Sequence, residues 1–186
     1  MTNSFYTFKS FTSLSEEEIT LVWEWRNHIE IRQWMYNDNI IPWEDHIRFV
    51  QNLEQNSTKK YWLVQRRNKN VGVMSIIDIK ENEGEWGYYI APHLHEMNFG
   101  VEFYYYSLQY LFEEEKMSKL YGYALVKNKG ANSLNDLFGF DKIQTTKIIG
   151  DDQLELYYRI LDKDNWLKKT KDDKKILQLL NFTKEK

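Results

Sequence analysis

Cysteine is absent from this chain of 186 residues, and proline occurs only twice. Without cysteine there are no disulfides, no thiolate metal sites and no cysteine nucleophile, a composition that fits a reducing compartment. Long apolar runs are missing too: none approaches the roughly 18 residues that mark a membrane span. The opening residues Met1-Thr2-Asn3-Ser4-Phe5-Tyr6 lack the basic start and apolar core of a signal peptide. Nor is there an excess of positive charge. A formal net charge of −3 argues against general affinity for nucleic acid. The expectation is a cytoplasmic protein with neither membrane nor nucleic-acid partners.

What is present is an ordinary globular balance of 42% hydrophobic and 28% charged residues, at a length that suits one well-buried core better than two. The unusual quantity is 16% aromatic residues, with 7 Trp and 13 Tyr. Each reads either as core filler or as the wall of a cleft that stacks flat groups such as a base or a sugar ring. Trp23, Trp25, Trp34, Tyr36 and Trp43 fall in one short region, where a cluster matters more than single rings. The four histidines, His28, His46, His93 and His95, show no zinc-ligand spacing with carboxylates, so no metal is expected.

Tyr6–Phe11 alternates as a first strand. Ser15-Glu16-Glu17-Glu18 is a capping box that opens a helix through Ile19, Leu21, Val22, Trp25 and Arg26. A short second helix is expected at Glu30–Tyr36. Pro42 suits the first turn of a third, with Ile47, Val50 and Leu53 as its apolar stripe. Lys60–Arg66 and Val71–Ile79 read as a hairpin around a turn at Asn68-Lys69-Asn70, and Gly84 precedes a strand Glu85–Ala91. Phe99–Met117 is the longest helical pattern. A strand Lys119–Val126, a helix Ala131–Phe138 and strands Phe140–Ile149 and Leu154–Leu161 follow, the last two joined near Gly150-Asp151-Asp152. The charged remainder, with one apolar stretch Ile176–Leu180, reads as a surface helix and a frayed end. There is no repeat and no linker. The order implies one α+β domain, a mixed sheet with helices on its faces.

The most informative stretch is Glu85–Gly100, where an aromatic and β-branched run stops at Pro92, a polar loop follows, and Asn98 and Gly100 open a helix. Unpaired backbone N–H groups at the positive end of a helix suit a phosphate or pyrophosphate. Glu85-Trp86-Gly87-Tyr88-Tyr89-Ile90-Ala91-Pro92 with its spaced Gly resembles the acetyl-coenzyme A (acetyl-CoA) segment of GNAT-superfamily acyltransferases. That resemblance implies a GNAT-like mixed, largely antiparallel sheet with helices on both faces, in which two central strands splay around the acyl-pantetheine arm. It places a GNAT acetyltransferase domain at 1–161 and a helical tail, packed on it or extending from it, at 162–186. It also implies acetyl-CoA as co-substrate, held by Tyr89, Ile90, Ala91, His95, Asn98, Phe99, Gly100 and Asn128, with no metal. His95 stands where the family usually has Gln or Arg, and Asn98 where it has the first loop Gly. Asn tolerates left-handed backbone angles better than most residues.

Asn128-Lys129-Gly130-Ala131, then Leu134-Asn135-Asp136-Leu137-Phe138-Gly139-Phe140, resembles the next landmark of the family. Asn135 holds the position of the usual Tyr, the acid that protonates the departing thiolate. An amide hydrogen-bonds sulfur but delivers no proton, while a thiol of pKa ~8.5 is already a fair leaving group. Tyr121 and Tyr123 are the phenols on the preceding strand. Glu85 matches the family's glutamate and is the general-base candidate, a role worth typically ~10²–10⁴ in rate. Its bland reading is a solvated charge beside Glu81 and Glu83.

Trp25-Arg26-Asn27-His28, Trp34-Met35-Tyr36, His46 with Phe49, and Gly72-Val73-Met74-Ser75-Ile76 resemble the N-acetyltransferases of pseudaminic acid biosynthesis. The implied reaction is direct transfer from acetyl-CoA to the 4-amino group of a UDP-linked amino-deoxy sugar, a precursor for flagellin glycosylation. The implied substrate-binding residues are Arg26, Asn27, His28, Trp34, Tyr36 and Ser75. Arg26 can pair with a diphosphate bidentately, and Trp34 or Tyr36 can stack on uracil or a sugar face. Arg26 reads alternatively as a helix-end cation. The lack of cysteine and of a Ser-His-Asp arrangement fits direct attack without an acyl-enzyme. Two other readings stay open: a ribosomal-protein-type N-terminal protein acetyltransferase and a non-catalytic acyl-CoA-binding module. A homodimer is also left open.

Overall fold

The computed structural model describes residues 5–94, 99–149 and 152–184. Local chemistry sets the element ends. Ser15 Oγ accepts from the Glu18 amide at 3.3 Å while the Glu18 carboxylate accepts from the Ser15 amide at 2.8 Å, the reciprocal box expected at the start of α1 (Glu16–Asn27). His28 then leaves helical angles, and its Nδ1 accepts from the Glu30 amide to start α2 (Ile29–Arg32). This helix is one turn long, shorter than the expected Glu30–Tyr36. Past Arg32 the chain tightens, Trp34 donating to Ile31 O and Met35 to Arg32 O, and Arg32 Nη1 donates to Asp38 O at 2.7 Å to hold the bend. Pro42 stands just outside α3 (Trp43–Leu53), at its cap rather than in its first turn.

Strand β1 (Tyr6–Ser10) ends where Phe11 enters a 3₁₀ turn. The hairpin between β2 (Lys60–Arg66) and β3 (Lys69–Lys80) turns at Arg67 and Asn68, both with positive φ (48° and 62°). That is a two-residue connection one place earlier than expected, and its twist matches the strands. Glu81 and Asn82 (φ 52° and 63°) repeat the device before β4 (Glu83–Ile90), so Gly84 lies inside the strand instead of before it.

Two compact units result: Met1–Ile79 with Trp86–Glu96, and Lys80–Glu85 with Met97–Lys186. In the first, β1 runs antiparallel to β2 (Tyr6↔Arg66 to Ser10↔Trp62) and β2 antiparallel to β3 (Lys60↔Ile76 to Arg66↔Lys69). Val22 and Trp25 from α1 and Val50 and Leu53 from α3 pack with Leu63 and Val73 to form its core. In the second, the first residues of β4 lie parallel to β5 (Lys119–Leu125), Glu83↔Lys119 to Glu85↔Tyr121. There β7 (Asp152–Asp162) pairs antiparallel with both β5 and β6 (Asp141–Ile149). The strand order is β1-β2-β3-β4-β5-β7-β6, a largely antiparallel α+β sheet.

The long helical pattern of the second unit is interrupted. Helix α4 (Gly100–Gln109) gives way to a π turn over Tyr110–Glu114, closed by Glu115 N–H on Tyr110 O at 3.0 Å and ended by Lys116 at φ 60°. The wider turn seats Leu111 and Phe112 side by side in the interior, both fully buried. Helix α5 (Lys129–Phe138) begins two residues earlier than expected because Asn128 caps it, and Gly139 at φ 82° ends it in the left-handed conformation. The tail departs further from expectation. It forms α6 (Lys163–Asp172) and α7 (Lys174–Lys184), which bury Trp166, Ile176 and Leu180, with the Trp166 ring stacked on Phe112 at 5.2 Å. The Gly150-Asp151 turn lies outside the described residues.

Candidate active site

In the first unit the aromatic cluster divides by role. Trp23 donates Nε1–H to Ile41 O at 2.8 Å and meets Trp43 edge-on at 5.4 Å, while Trp25 is part of the core. These three are packing residues. Trp34 remains 38% exposed beside the bend after α2, and Tyr36 is half-buried. Asn27 is committed at both ends of its amide: Nδ2 donates to Ile41 O at 3.0 Å and Oδ1 accepts from Ile41 N at 2.8 Å. It holds the loop before α3, and His28 caps α2, so both shape the surroundings of Arg26.

Arg26, near the end of α1, is half-buried. Its Nη2 donates to Asn37 O at 3.4 Å, whereas Nη1 is buried without a hydrogen-bond partner. Burial pushes its pKa down, opposed by the Tyr89 and Tyr61 phenols. A guanidinium stays charged in proteins, so a buried, unpaired N–H on it is an unmet demand for an acceptor. Tyr89 donates to Val22 O at 3.3 Å, and burial raises its pKa. Ser75 Oγ lies 3.5 Å from Gly87 O, and a Cβ at Gly87 would stand 3.3 Å from that hydroxyl. The Ala91 backbone is committed as well, its N–H on Val71 O and its carbonyl accepting from Leu94 N, each at 2.9 Å. Ile90 precedes it at the end of β4.

His46 is buried between Trp43 and Phe49, with ring centroids 6.1 and 6.4 Å away, and its Nε2 has no hydrogen-bond partner in the protein. Burial lowers its pKa. The folded value therefore lies below the unfolded one of about 6.5, and the stability tied to the neutral ring is complete above that pH. It is lost as pH falls through the unfolded value toward the folded one. His46→Gln is expected to lower Tm at neutral pH yet to lessen the further fall in Tm on acidification to about pH 5, since no imidazole remains to protonate in the unfolded chain. Thermal denaturation across pH checks this; an unchanged acid limb assigns the pH dependence to other groups.

In the second unit Glu85 stands in register with Tyr121, and the Tyr158 ring lies 4.9 Å from Tyr123 and 6.1 Å from Tyr121. The Tyr123 pKa is raised, first by burial, then by Tyr158 and by the Glu85 charge. The Glu85 charge is thus close enough to the Tyr123 phenol to disfavour its ionisation. Tyr158 escaped the sequence reading; its only signal was the two-residue alternation along β7.

Helix α4 starts at Gly100 from Phe99, which forms no side-chain cap bond. Its opening amides are unpaired by any capping side chain there, as an anion site requires. His95 and Asn98 lie outside the described residues. On α5, Asn128 Oδ1 accepts from Ala131 N at 3.1 Å. Asn135 is 6% exposed, accepts from the Tyr104 hydroxyl at 2.7 Å and donates to Ala131 O at 2.9 Å. It is a cross-link between α4 and α5, with neither amide end idle. Among the described residues no group of three or more His, Asp or Glu side chains is placed to hold a metal, and no helix is long and apolar enough to cross a membrane.

The family model described as an acetyltransferase (GNAT) domain matches residues 11–141. Acetyltransferase PseH of Campylobacter jejuni is 36% identical over 126 residues, 68% of this chain and 78% of that protein. The crystal structure of C. jejuni N-acetyltransferase PseH in complex with acetyl coenzyme A aligns with a TM-score of 0.65 at 28% identity, covering 85% of this chain and 99% of the other. Spermidine N-acetyltransferase from Vibrio cholerae, solved with CoA and spermine, shares the fold at a TM-score of 0.77 with 18% identity, over 89% of this chain and 99% of that one.

Proposed function

Because the chain belongs to the GNAT acetyltransferase family and is an acetyl-CoA-dependent N-acetyltransferase, we propose that its acceptor is the 4-amino group of a UDP-linked amino-deoxy sugar on the route to pseudaminic acid. The observation that carries this reading is Arg26: a half-buried cation whose Nη1 is buried with no protein acceptor, in the same unit as the exposed ring of Trp34. A diphosphate supplies the missing acceptor and a uracil or sugar face supplies the stacking partner. Tyr36 and Ser75 complete the acceptor side, and Asn27 and His28 hold the loop and helix that frame it. The similarity to PseH supports the same choice of substrate class. The reaction takes place in the cytoplasm.

Transfer is direct. The amine nitrogen attacks the thioester carbonyl, its proton passes to Glu85 directly or through one water, the C–N bond forms and the C–S bond breaks. The sulfur leaves as thiolate and takes its proton from solvent, since Asn135 has none to give. Acetyl-CoA is bound by Tyr89, Ile90, Ala91, His95, Asn98, Phe99, Gly100 and Asn128, with the opening amides of α4 receiving the pyrophosphate.

Coenzyme A release by the purified chain tests the reading, with UDP-amino sugars, free amino sugars and peptide N-termini as acceptors. Efficient turnover of peptides with UDP-amino sugars ignored makes it a protein acetyltransferase; acetyl-CoA binding without any transfer makes it a binding module. Gly100→Val is expected to weaken acetyl-CoA binding by calorimetry, because a branched side chain intrudes where backbone must approach phosphate. Unchanged affinity removes the start of α4 from the cofactor site.

A further inference from the structure

Among the described residues of the second unit Arg159 is the most deeply buried cation, 1% exposed, and it lies opposite Gly122, which has no side chain. Its Nη1 donates to Asp136 Oδ1 at 2.6 Å and its Nη2 to Asn132 Oδ1 at 2.9 Å, while Nε is buried without a partner. Burying an arginine against a single carboxylate, itself more than half exposed, is a poor bargain for stability alone. What the arrangement does achieve is orientation. With Oδ1 fixed by the guanidinium, the Asn132 amide has its Nδ2 turned to the chain ahead of α5, where it donates to Leu125 O at 2.9 Å and Asn128 O at 2.8 Å. Asn128 N–H closes the same turn on Leu125 O at 2.9 Å. Asn128 Oδ1 is in turn held by the Ala131 amide, which leaves its Nδ2 as the end that faces away from the helix.

We propose that Arg159 and Asn132 are positioning residues for acetyl-CoA: through two successive hydrogen bonds they set the 125–128 turn and present the Asn128 amide N–H₂ to an acceptor oxygen of the cofactor. This rests on Asn128 belonging to the cofactor site. Neither residue touches the cofactor, and neither was singled out by the sequence motifs. Arg159 reaches two partners at once because its guanidinium is a fork; a lysine ammonium is a single point and serves one of them.

The test compares Asn132→Ala and Arg159→Lys with the wild-type enzyme in steady-state kinetics and calorimetry. Asn132→Ala is expected to raise the KM and Kd for acetyl-CoA about tenfold, and Arg159→Lys about threefold, the range for losing one or two buried hydrogen bonds. The kcat and the KM for the amine should stay near wild type. A residue that only supports the fold would lower Tm and the active fraction while leaving KM for acetyl-CoA unchanged, and that result overturns the proposal. Hydrogen exchange on the wild-type protein gives a second readout that needs no variant to fold: acetyl-CoA should slow exchange of the amides of residues 126–132. If wild-type protein binds acetyl-CoA and those amides are unaffected, the positioning role fails. If wild-type protein binds no acetyl-CoA, the failure belongs to the cofactor assignment instead.

Discussion

Glu85→Gln is expected to reduce turnover by ~10²–10⁴ at pH values below the acceptor amine's pKa, with a smaller deficit as pH rises and the amine deprotonates by itself. Gln keeps the shape and hydrogen-bonding reach of the residue and removes only the capacity to take a proton. The parallel register places Glu85 beside Tyr121, and its charge is felt by Tyr123. A carboxylate at this place in the strand is a group that can accept the proton an attacking amine must lose. Acetyl-CoA affinity should be unchanged in the variant, which separates loss of the base from damage to the cofactor site. A pH–rate profile matching wild type in both shape and height would leave Glu85 as a solvated charge.

Arg26→Ala should raise the KM for the nucleotide sugar roughly 10- to 150-fold, the equivalent of the ~1.5–3 kcal/mol typical of a hydrogen bond to a charged group. Acetyl-CoA affinity should be nearly intact. The direction follows from the buried Nη1: no protein group accepts from it, so an incoming acceptor oxygen is a partner it lacks within the chain. Arg26→Lys restores the charge without the bidentate geometry and is expected to recover part of the loss. An amino sugar lacking UDP should be a poor substrate of the wild type and indifferent to Arg26→Ala, because remote binding energy orients the amine. If Arg26→Ala raises KM equally for sugars with and without UDP, Arg26 supports the loop through Asn37 and does not read the diphosphate.

Much of this molecule was legible from short-range chemistry. The capping box at Ser15, the cap at Asn128 and the Glu85–Pro92 motif each depend on residues within a few positions, so the amino-acid order alone specifies them. The same holds for the family and its acetyl-CoA dependence, which ride on a contiguous run. Where local signals misled, the cause was also local. Positive φ at Arg67 and Asn68 moved a turn by one residue, and a π turn at Tyr110–Glu114 carried an apolar pattern past the end of α-helical geometry.

Tertiary structure decided which polar side chains are available to a ligand. Asn27 stood among the implied substrate-binding residues, and the loop of Ile41, 14 residues away, occupies both ends of its amide. Asn135 stood at an acid's position, and Tyr104, 31 residues distant, made it a cross-link. The charged tail reads as surface, yet Trp166 is buried on Phe112. Arg159 became buried because strand pairing set it opposite a glycine and under α5. Helical and strand periods state which face a residue occupies, but not what waits on that face. Hydrogen-bond demand is met by the nearest partner in space, so whether a polar group is structural or free for chemistry is settled by the packing.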